Sequence, residues 1–298
     1  MCVLHTSVLV RGYLIEGVFI QTNMASYELF IERVKDIHKI GAIQGHLGWD
    51  QETIMPAKGA KARSEIMSWL AKEQHSRVTD ESFAEMIVQL ERDASLTEDQ
   101  QANIREARRR YDKAVKLPSD FVAEFALARS QALVVWQEAR AESDFAKFKP
   151  HLAKLIEMSN KKIDYYGVET TRYDVLLDEY EFGMKVSDYD PLFAGLKGKL
   201  VPLLQQIMDA KLTNPDPKLP EDMVFPVEAQ TEFCKMVSSA TGFDFEAGRM
   251  DASTHPFSAG LWPGDTRFTT RFDETDPFSC LYAVMHETGH ALYEQGLN

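Results

Sequence analysis

The sequence predicts a mainly α-helical protein of long packed helices with a small β-sheet. Three observations carry this. Apolar residues recur at three and four residues over most of the chain from Met24 to Thr241, which lines them along single helix faces. Capping signals open several of these stretches. Only the segment Phe257 to Phe272 changes to strand-like alternation, with Thr266, Phe268 and Thr270 set against Arg267, Thr269 and Arg271.

The elements follow in order. Tyr27, Phe30, Ile31, Val34 and Ile37 form the apolar face of the first helix. The period breaks at Trp49 to Pro56, which reads as a loop or helix end. Ala60 to Gln74 is helical, with Ile66, Trp69 and Leu70 on the buried side. Thr79 or Asp80 caps a helix burying Phe83, Met86, Ile87 and Leu90. Thr97 and Gln100 form a capping box, the glutamine reaching back to the cap. That helix passes through Arg108 to Arg110, a solvated face rather than a site, and ends before Pro118. Ser119 to Ser143 is a long helix. Asp144 to Pro150 is a short break, and His151 to Tyr166 is helical. Asp174 to Tyr180 reads as a turn region. Asp190 to Lys211 and Glu228 to Thr241 are helices separated by the proline-rich loop Asn214 to Pro220. A final helix spans Pro277 to Leu297.

Composition bounds the function. The chain has 298 residues, of which 44% are hydrophobic and 27% charged, as in a globular protein that buries a core without disulfides. The net charge of −13, from 46 acidic and 33 basic residues, argues against a nucleic-acid partner. No apolar run reaches the ~18 residues of a membrane span. Cys2, Cys234 and Cys280 are odd in number and scattered, so no disulfide framework follows. That usage fits a reducing compartment, the cytoplasm. Residues 1–23 are apolar and β-branched but interrupted by Arg11 and Glu16. They read as an extension ahead of a start at Met24, the alternatives being a short strand or a targeting segment. Residues 24–298 read as one helical domain, with no internal repeat or linker long enough to split it.

The chemistry is concentrated in His286-Glu287-Thr288-Gly289-His290. On a helix, His286 and His290 stand one turn apart on one face, and two neutral imidazoles at that spacing can share one Zn²⁺. Glu287 lies beside the metal rather than on it, placed to take a proton from a metal-bound water. Gly289 removes a side chain where something packs close. The apolar residues Leu281, Tyr282, Val284 and Met285 predict a buried helix, with a metal as the partner of its buried polar groups. The competing reading is two satisfied histidines and a surface glutamate on an amphipathic helix. A catalytic zinc takes a third protein ligand. Glu294 lies one turn beyond the metal, and Asp265, Asp273, Glu274, Asp276 and His255 have no spacing that argues for them.

Around this motif stand His255-Pro256-Phe257 and Asp265-Thr266-Arg267-Phe268-Thr269, in that order. Further upstream are Asp50-Gln51-Glu52-Thr53 with Met55-Pro56, and Tyr173-Asp174 with Leu176 to Glu181. In these segments, from about Ser26 to Asn298, the chain resembles the carboxypeptidase Taq family of metallocarboxypeptidases, peptidase family M32. The resemblance implies a helical fold with a small sheet beside an active-site groove. It implies release of single residues from the C-termini of peptides with broad specificity, using zinc or cobalt, in a homodimer. The family's glutamate ligand lies in a later His-Glu-Ser/Gly-Gln motif, which is absent here along with two further motifs. The sequence also stops eight residues after His290. The expectation is an N-terminal portion of a longer protein, with two of three metal ligands.

Arg267 or Arg271 is the candidate partner of a substrate carboxylate, against a structural ion pair with Asp265 or Asp273. His255 is a candidate donor to the oxyanion or substrate, against a histidine held by the turn at Pro256. Phe257 is expected in the core, and Asp50 and Glu52 in structural roles. Two rival readings stand beside the carboxypeptidase. One is a related helical zinc oligopeptidase that cuts internally, suggested by Trp136 to Pro150. The other is a catalytically inactive fragment.

Overall fold

The structure is a computed structural model that describes residues 26–214 and 223–297. The extension at 1–23 and most of the proline-rich loop lie outside the described residues. Ten α-helices and three strands are present among those described. The chain divides into two compact units.

The first unit contains residues 26–38 and Ser76–Val115. It holds the start of α1 (Tyr27–Thr53), the end of α2 (Ala60–Val78), α3 (Glu81–Leu90) and α4 (Glu98–Ala114). Phe30, Ile37, Phe83, Ile87, Leu90, Ile104 and Ala107 form its core. The rings of Phe30 and Phe83 stack at 5.9 Å. Of the two candidate caps, Asp80 is the one used, its carboxylate accepting from the Ser82 N–H at 3.1 Å. The Thr97–Gln100 capping box forms as the sequence predicts. The Arg108–Arg110 run is a solvated face: Arg108 pairs with Glu91 at 2.8 Å and Arg109 with Glu106 at 3.0 Å.

The second unit contains Lys39–His75 and the chain from Lys116 onward. Here α5 (Ser119–Glu142) and α6 (Phe145–Tyr166) pack along one another. The expected break at 144–150 shrinks to two residues. Ser143 takes a left-handed φ of 55° to end α5, and the Asp144 carboxylate caps α6 by accepting from the Ala146 and Lys147 N–H groups. Pro150 therefore lies inside the helix rather than at its start.

Near α2, one open expectation is decided and one fails. Of the two readings of Trp49 to Pro56, the helix end holds for Trp49 to Thr53, which is the last part of α1 and whose polar residues find buried partners. Gln51 donates to the Ser130 carbonyl at 3.0 Å, Ser130 donates back to Gln51 at 3.1 Å, and Ser64 donates to Ser130 at 3.0 Å. Asp50 pairs with Arg63. This polar ladder also turns α2: Ser64 and Leu70 are buried, whereas Ile66 and Trp69 are exposed. Hydrophobic periodicity could not anticipate a helix face built on a serine.

The turn region at 174–180 contains a short helix, α7 (Arg172–Leu177), capped by Thr171. Asp174 is buried, and its carboxylate accepts from the Thr170 hydroxyl at 2.6 Å, the Thr171 N–H at 3.1 Å and the Val186 N–H at 2.7 Å. It thereby ties α7 to the first residue of α8 (Val186–Thr213). The Thr170 hydroxyl, followed by the Val186 and Thr171 donors, holds this carboxyl at about 2. A depressed carboxyl stabilises the fold above its unfolded value of ~3.9 and loses that contribution as pH falls through its folded value. Asp174→Ala is expected to lower Tm by roughly 5 °C or more at neutral pH, because three donors lose their acceptor. In thermal melts the gap between parent and variant should narrow as pH drops from about 4 towards 2. No residue of α8 is buried.

The sheet has the order β1-β3-β2, formed by β1 (Gly248–Ala252), β2 (Ser258–Trp262) and β3 (Asp265–Thr270). β1 runs parallel to β3, and β2 antiparallel to it with an irregularity between Gly260 and Trp262. The alternation from 266 to 271 marks β3, but Thr269 is buried along with Thr266, Phe268 and Thr270. Its hydroxyl is satisfied by Ser253 at 2.6 Å and by the Phe257 N–H at 3.0 Å. β1 carries no comparable signal. α9 (Val227–Ala240) and α10 (Pro277–Gln295) complete this part, with α10 packed on β3, β2 and α9. Cys234, Phe243, Met250, Phe268, Cys280, Val284 and Ala291 form the core beneath α10.

Candidate metal centre

The ends of α10 are set by local chemistry. Asp276 accepts from the Ser279 N–H at 3.2 Å, and Pro277 occupies the first turn, where its missing N–H costs nothing. Cys280, Val284, Glu287, Thr288 and Ala291 are buried at helical spacing, so they define the face that packs inward. Thr288 is fixed within that face by the Ser238 hydroxyl at 2.9 Å.

This register turns the two histidines outward. His286 and His290 are exposed, as are Tyr282 and Met285. The expected burial of the whole helix is therefore corrected: of the motif's three chemical groups only Glu287, 7% exposed, is on the buried side. Gly289 also departs from expectation. A Cβ added there meets nothing within 4 Å, so no close packing demands the glycine.

The imidazoles stand nearly perpendicular, at 85°, with ring centroids 4.8 Å apart. Their Nε2 atoms are 3.3 Å apart. Two nitrogens each ~2.0–2.1 Å from one zinc at the tetrahedral angle would be about 3.3–3.4 Å apart, so the pair fits a shared metal. Two lone pairs facing at this distance repel unless a proton or a cation lies between them. Among the described residues, no group of three or more His, Cys, Asp or Glu side chains converges to hold a metal.

The other acidic candidates are engaged elsewhere. Glu294 lies against β2, where a Cβ added to Gly260 would come within 2.1 Å of its Oε2. Asp273 accepts from the Thr275 N–H and hydroxyl, and Asp276 caps α10. Asp265 takes both prongs of the Arg267 guanidinium at 2.7 Å and faces His46 Nε2 at 3.1 Å. Arg267 first, and His46 after it, pull the Asp265 carboxyl below its ordinary range against the opposing effect of burial. Arg267 also lies over the Trp49 ring at 5.8 Å. Arg271 and His255 are exposed. The His255 carbonyl accepts from the Ser253 hydroxyl at 2.7 Å. Phe257 is half-buried against Trp49 at 5.2 Å rather than deep in the core.

His46 is the residue of this cluster that the sequence did not announce. It lies 219 residues from Asp265 and inside α1, and no local pattern joins the two. A cavity of about 670 Å³ is lined by α1, α2, α5 and α6 residues, including Glu52, Phe121 and Trp136. Burial raises the Glu52 carboxyl above its ordinary value. The histidine pair does not line this cavity.

Fold and site together define a helical protein whose last described helix presents a His-Glu-x-x-His pair beside a three-stranded sheet. The model of the carboxypeptidase Taq (M32) metallopeptidases matches residues 29–298, and the chain belongs to that family. It is 35% identical over 295 residues to thermostable carboxypeptidase 1 of Thermus thermophilus, covering 93% of this chain and 56% of that protein. It is also 35% identical over 270 residues to carboxypeptidase 1 of Bacillus subtilis, covering 90% and 54%. The BsuCP crystal structure superimposes with a TM-score of 0.85 at 34% identity, covering 91% of this chain and 55% of that one. The chain thus spans about half the length of the relatives it matches. No helix among the described residues is long and apolar enough to cross a membrane.

Proposed function

We propose that this chain carries the metal-ligand helix of a metallocarboxypeptidase that removes single residues from peptide C-termini with broad specificity. The observation that carries the reading is the 3.3 Å separation of the His286 and His290 Nε2 atoms on the helix that bears Glu287. His286 and His290 would hold zinc, or cobalt in its place, with a glutamate from outside these 298 residues as the third ligand. The metal, when bound, acidifies a water and polarises the scissile carbonyl. The Glu287 carboxylate would take a proton from the attacking water and pass it to the departing amine.

The Arg267 guanidinium already grips Asp265 at both prongs, which supports a structural role for it. Exposed Arg271 is then the better candidate for the substrate carboxylate, with exposed His255 as a donor to the substrate. The assembled enzyme is a cytoplasmic homodimer, a compartment supported by the odd, scattered cysteines of the sequence.

With two ligands, the chain by itself should bind metal weakly and turn over little. Incubation with N-terminally blocked peptides that keep a free C-terminus, in the presence of Zn²⁺ or Co²⁺ and followed by product analysis, tests this. Turnover at the level of the full-length relatives would overturn the two-ligand reading. Internal fragments in place of single amino acids would favour the endopeptidase.

A further inference from the structure

Two of the scattered cysteines converge in the fold. Cys234 in α9 and Cys280 in α10 are both free and buried, with their sulfurs 3.4 Å apart. A disulfide has an S–S length of ~2.03–2.05 Å, so closure needs the sulfurs to approach by about 1.4 Å, within reach of small side-chain rotations. The helices that carry them already pack together.

The two thiols are not equivalent. Cys280 stands within hydrogen-bonding distance of both the Cys234 thiol and the Thr270 hydroxyl, the latter at 3.4 Å. The Cys234 contact, opposed by burial and aided by Thr270, holds the Cys280 thiol below its usual value, and the Cys280 contact and burial push Cys234 up. Cys280 touches both the Cys234 thiol and the Thr270 hydroxyl, so two groups can donate to its thiolate and it is the thiol that ionises first. Cys280 also shares the buried stripe of α10 with Val284 and Glu287.

We propose that Cys234 and Cys280 are a redox pair that closes to a reversible disulfide in the presence of hydrogen peroxide, tying α9 to the helix that bears the histidines. The Cys280 thiolate attacks one peroxide oxygen and breaks the O–O bond, giving a sulfenic acid and water. The Cys234 sulfur then attacks the Cys280 sulfur and expels the hydroxyl as a second water. Two thiols are oxidised, one peroxide is reduced, and the two thiol protons leave in the waters. Because both sulfurs are buried, peroxide enters as α9 and α10 breathe, and the reaction runs slower than at an exposed thiolate. The proposal stands on the thiols and is independent of the metal reading.

The test uses the 298-residue chain with Cys2→Ser, so that only this pair reports. The protein is exposed to hydrogen peroxide under native conditions, alkylated, digested without reduction and mapped by mass spectrometry. The expected product is one cross-linked species joining the peptides of Cys234 and Cys280, two hydrogens lighter than the pair and reopened by dithiothreitol. Its Tm should rise by roughly 5–10 °C. Cys280→Ser should slow oxidation of Cys234 at least tenfold. Thiols that stay alkylatable after denaturation, separate sulfinic acids, or oxidation of Cys234 at the parent rate in the serine variant would each overturn the proposal. The parent map alone decides if that variant does not fold.

Discussion

His286→Ala and His290→Ala are each expected to weaken zinc binding by on the order of 100-fold or more, because either change leaves one donor where two had shared the ion. The expectation rests on preorganisation. The helix already holds the Nε2 atoms 3.3 Å apart, so little side-chain entropy remains to be lost on binding. Both rings are exposed, so the ion also meets no desolvated wall on its way in. Titration calorimetry with Zn²⁺ and the visible spectrum with Co²⁺ read the loss directly. Glu287→Gln separates ligand from base. It should keep the parent's metal affinity while any peptidase turnover falls by ~10²–10⁴-fold. Parent-like affinity in either histidine variant would mean that the metal binds elsewhere. Absence of turnover in both the parent and Glu287→Gln would favour the inactive-fragment reading.

What the sequence reveals of this site and what it hides have separate physical causes. A four-residue spacing maps directly onto one helix face, so the histidine pair is legible from the order of residues alone. Burial of that helix is not, because Tyr282 and Met285 look inward by composition yet fall on the outward side once Val284 and Cys280 are packed. The long helices are legible from apolar periodicity, as with Phe30, Phe83 and Ile87. The same rule fails at the end of α1 and along α2, where the buried contacts are Gln51, Ser130 and Ser64, polar groups that satisfy one another. Contacts between distant segments leave no local trace. The Cys234–Cys280 pair and the His46–Asp265 contact each join residues that chain spacing treats as unrelated, whereas the Asp265–Arg267 ion pair, two residues apart, is among the expected readings.

The largest stability effect is expected at Gly248, a position with no chemistry of its own. It begins β1 and pairs with Thr266 of β3. A Cβ there would come 2.3 Å from the Thr266 carbonyl oxygen and 2.4 Å from Phe243 Cζ. Neither neighbour can retreat cheaply. The Thr266 N–H donates to the Ala247 carbonyl at 3.0 Å, so the adjoining backbone is fixed within the sheet. Phe243 is buried and meets Phe245 and Phe268 edge-on, with centroids at 4.8 and 5.0 Å. Gly248→Ala must therefore push β1 off β3 or drive Phe243 into a filled aromatic core. Overpacking of this kind costs about 1–3 kcal/mol and occasionally more, and two rigid neighbours put this site at the upper end. Gly260→Ala supplies the contrast. Its nearest neighbours would be atoms of the Glu294 side chain, Oε2 at 2.1 Å and Cγ at 3.0 Å, and that flexible side chain can swing aside. Its cost should stay below ~1 kcal/mol. Urea titrations of the two variants should show Gly248→Ala losing most of the midpoint while Gly260→Ala stays near the parent. Equal midpoints would show that β1 does not lie against β3 with Phe243 beneath it. The surface under α10, on which the register of its histidines depends, would then need a different account.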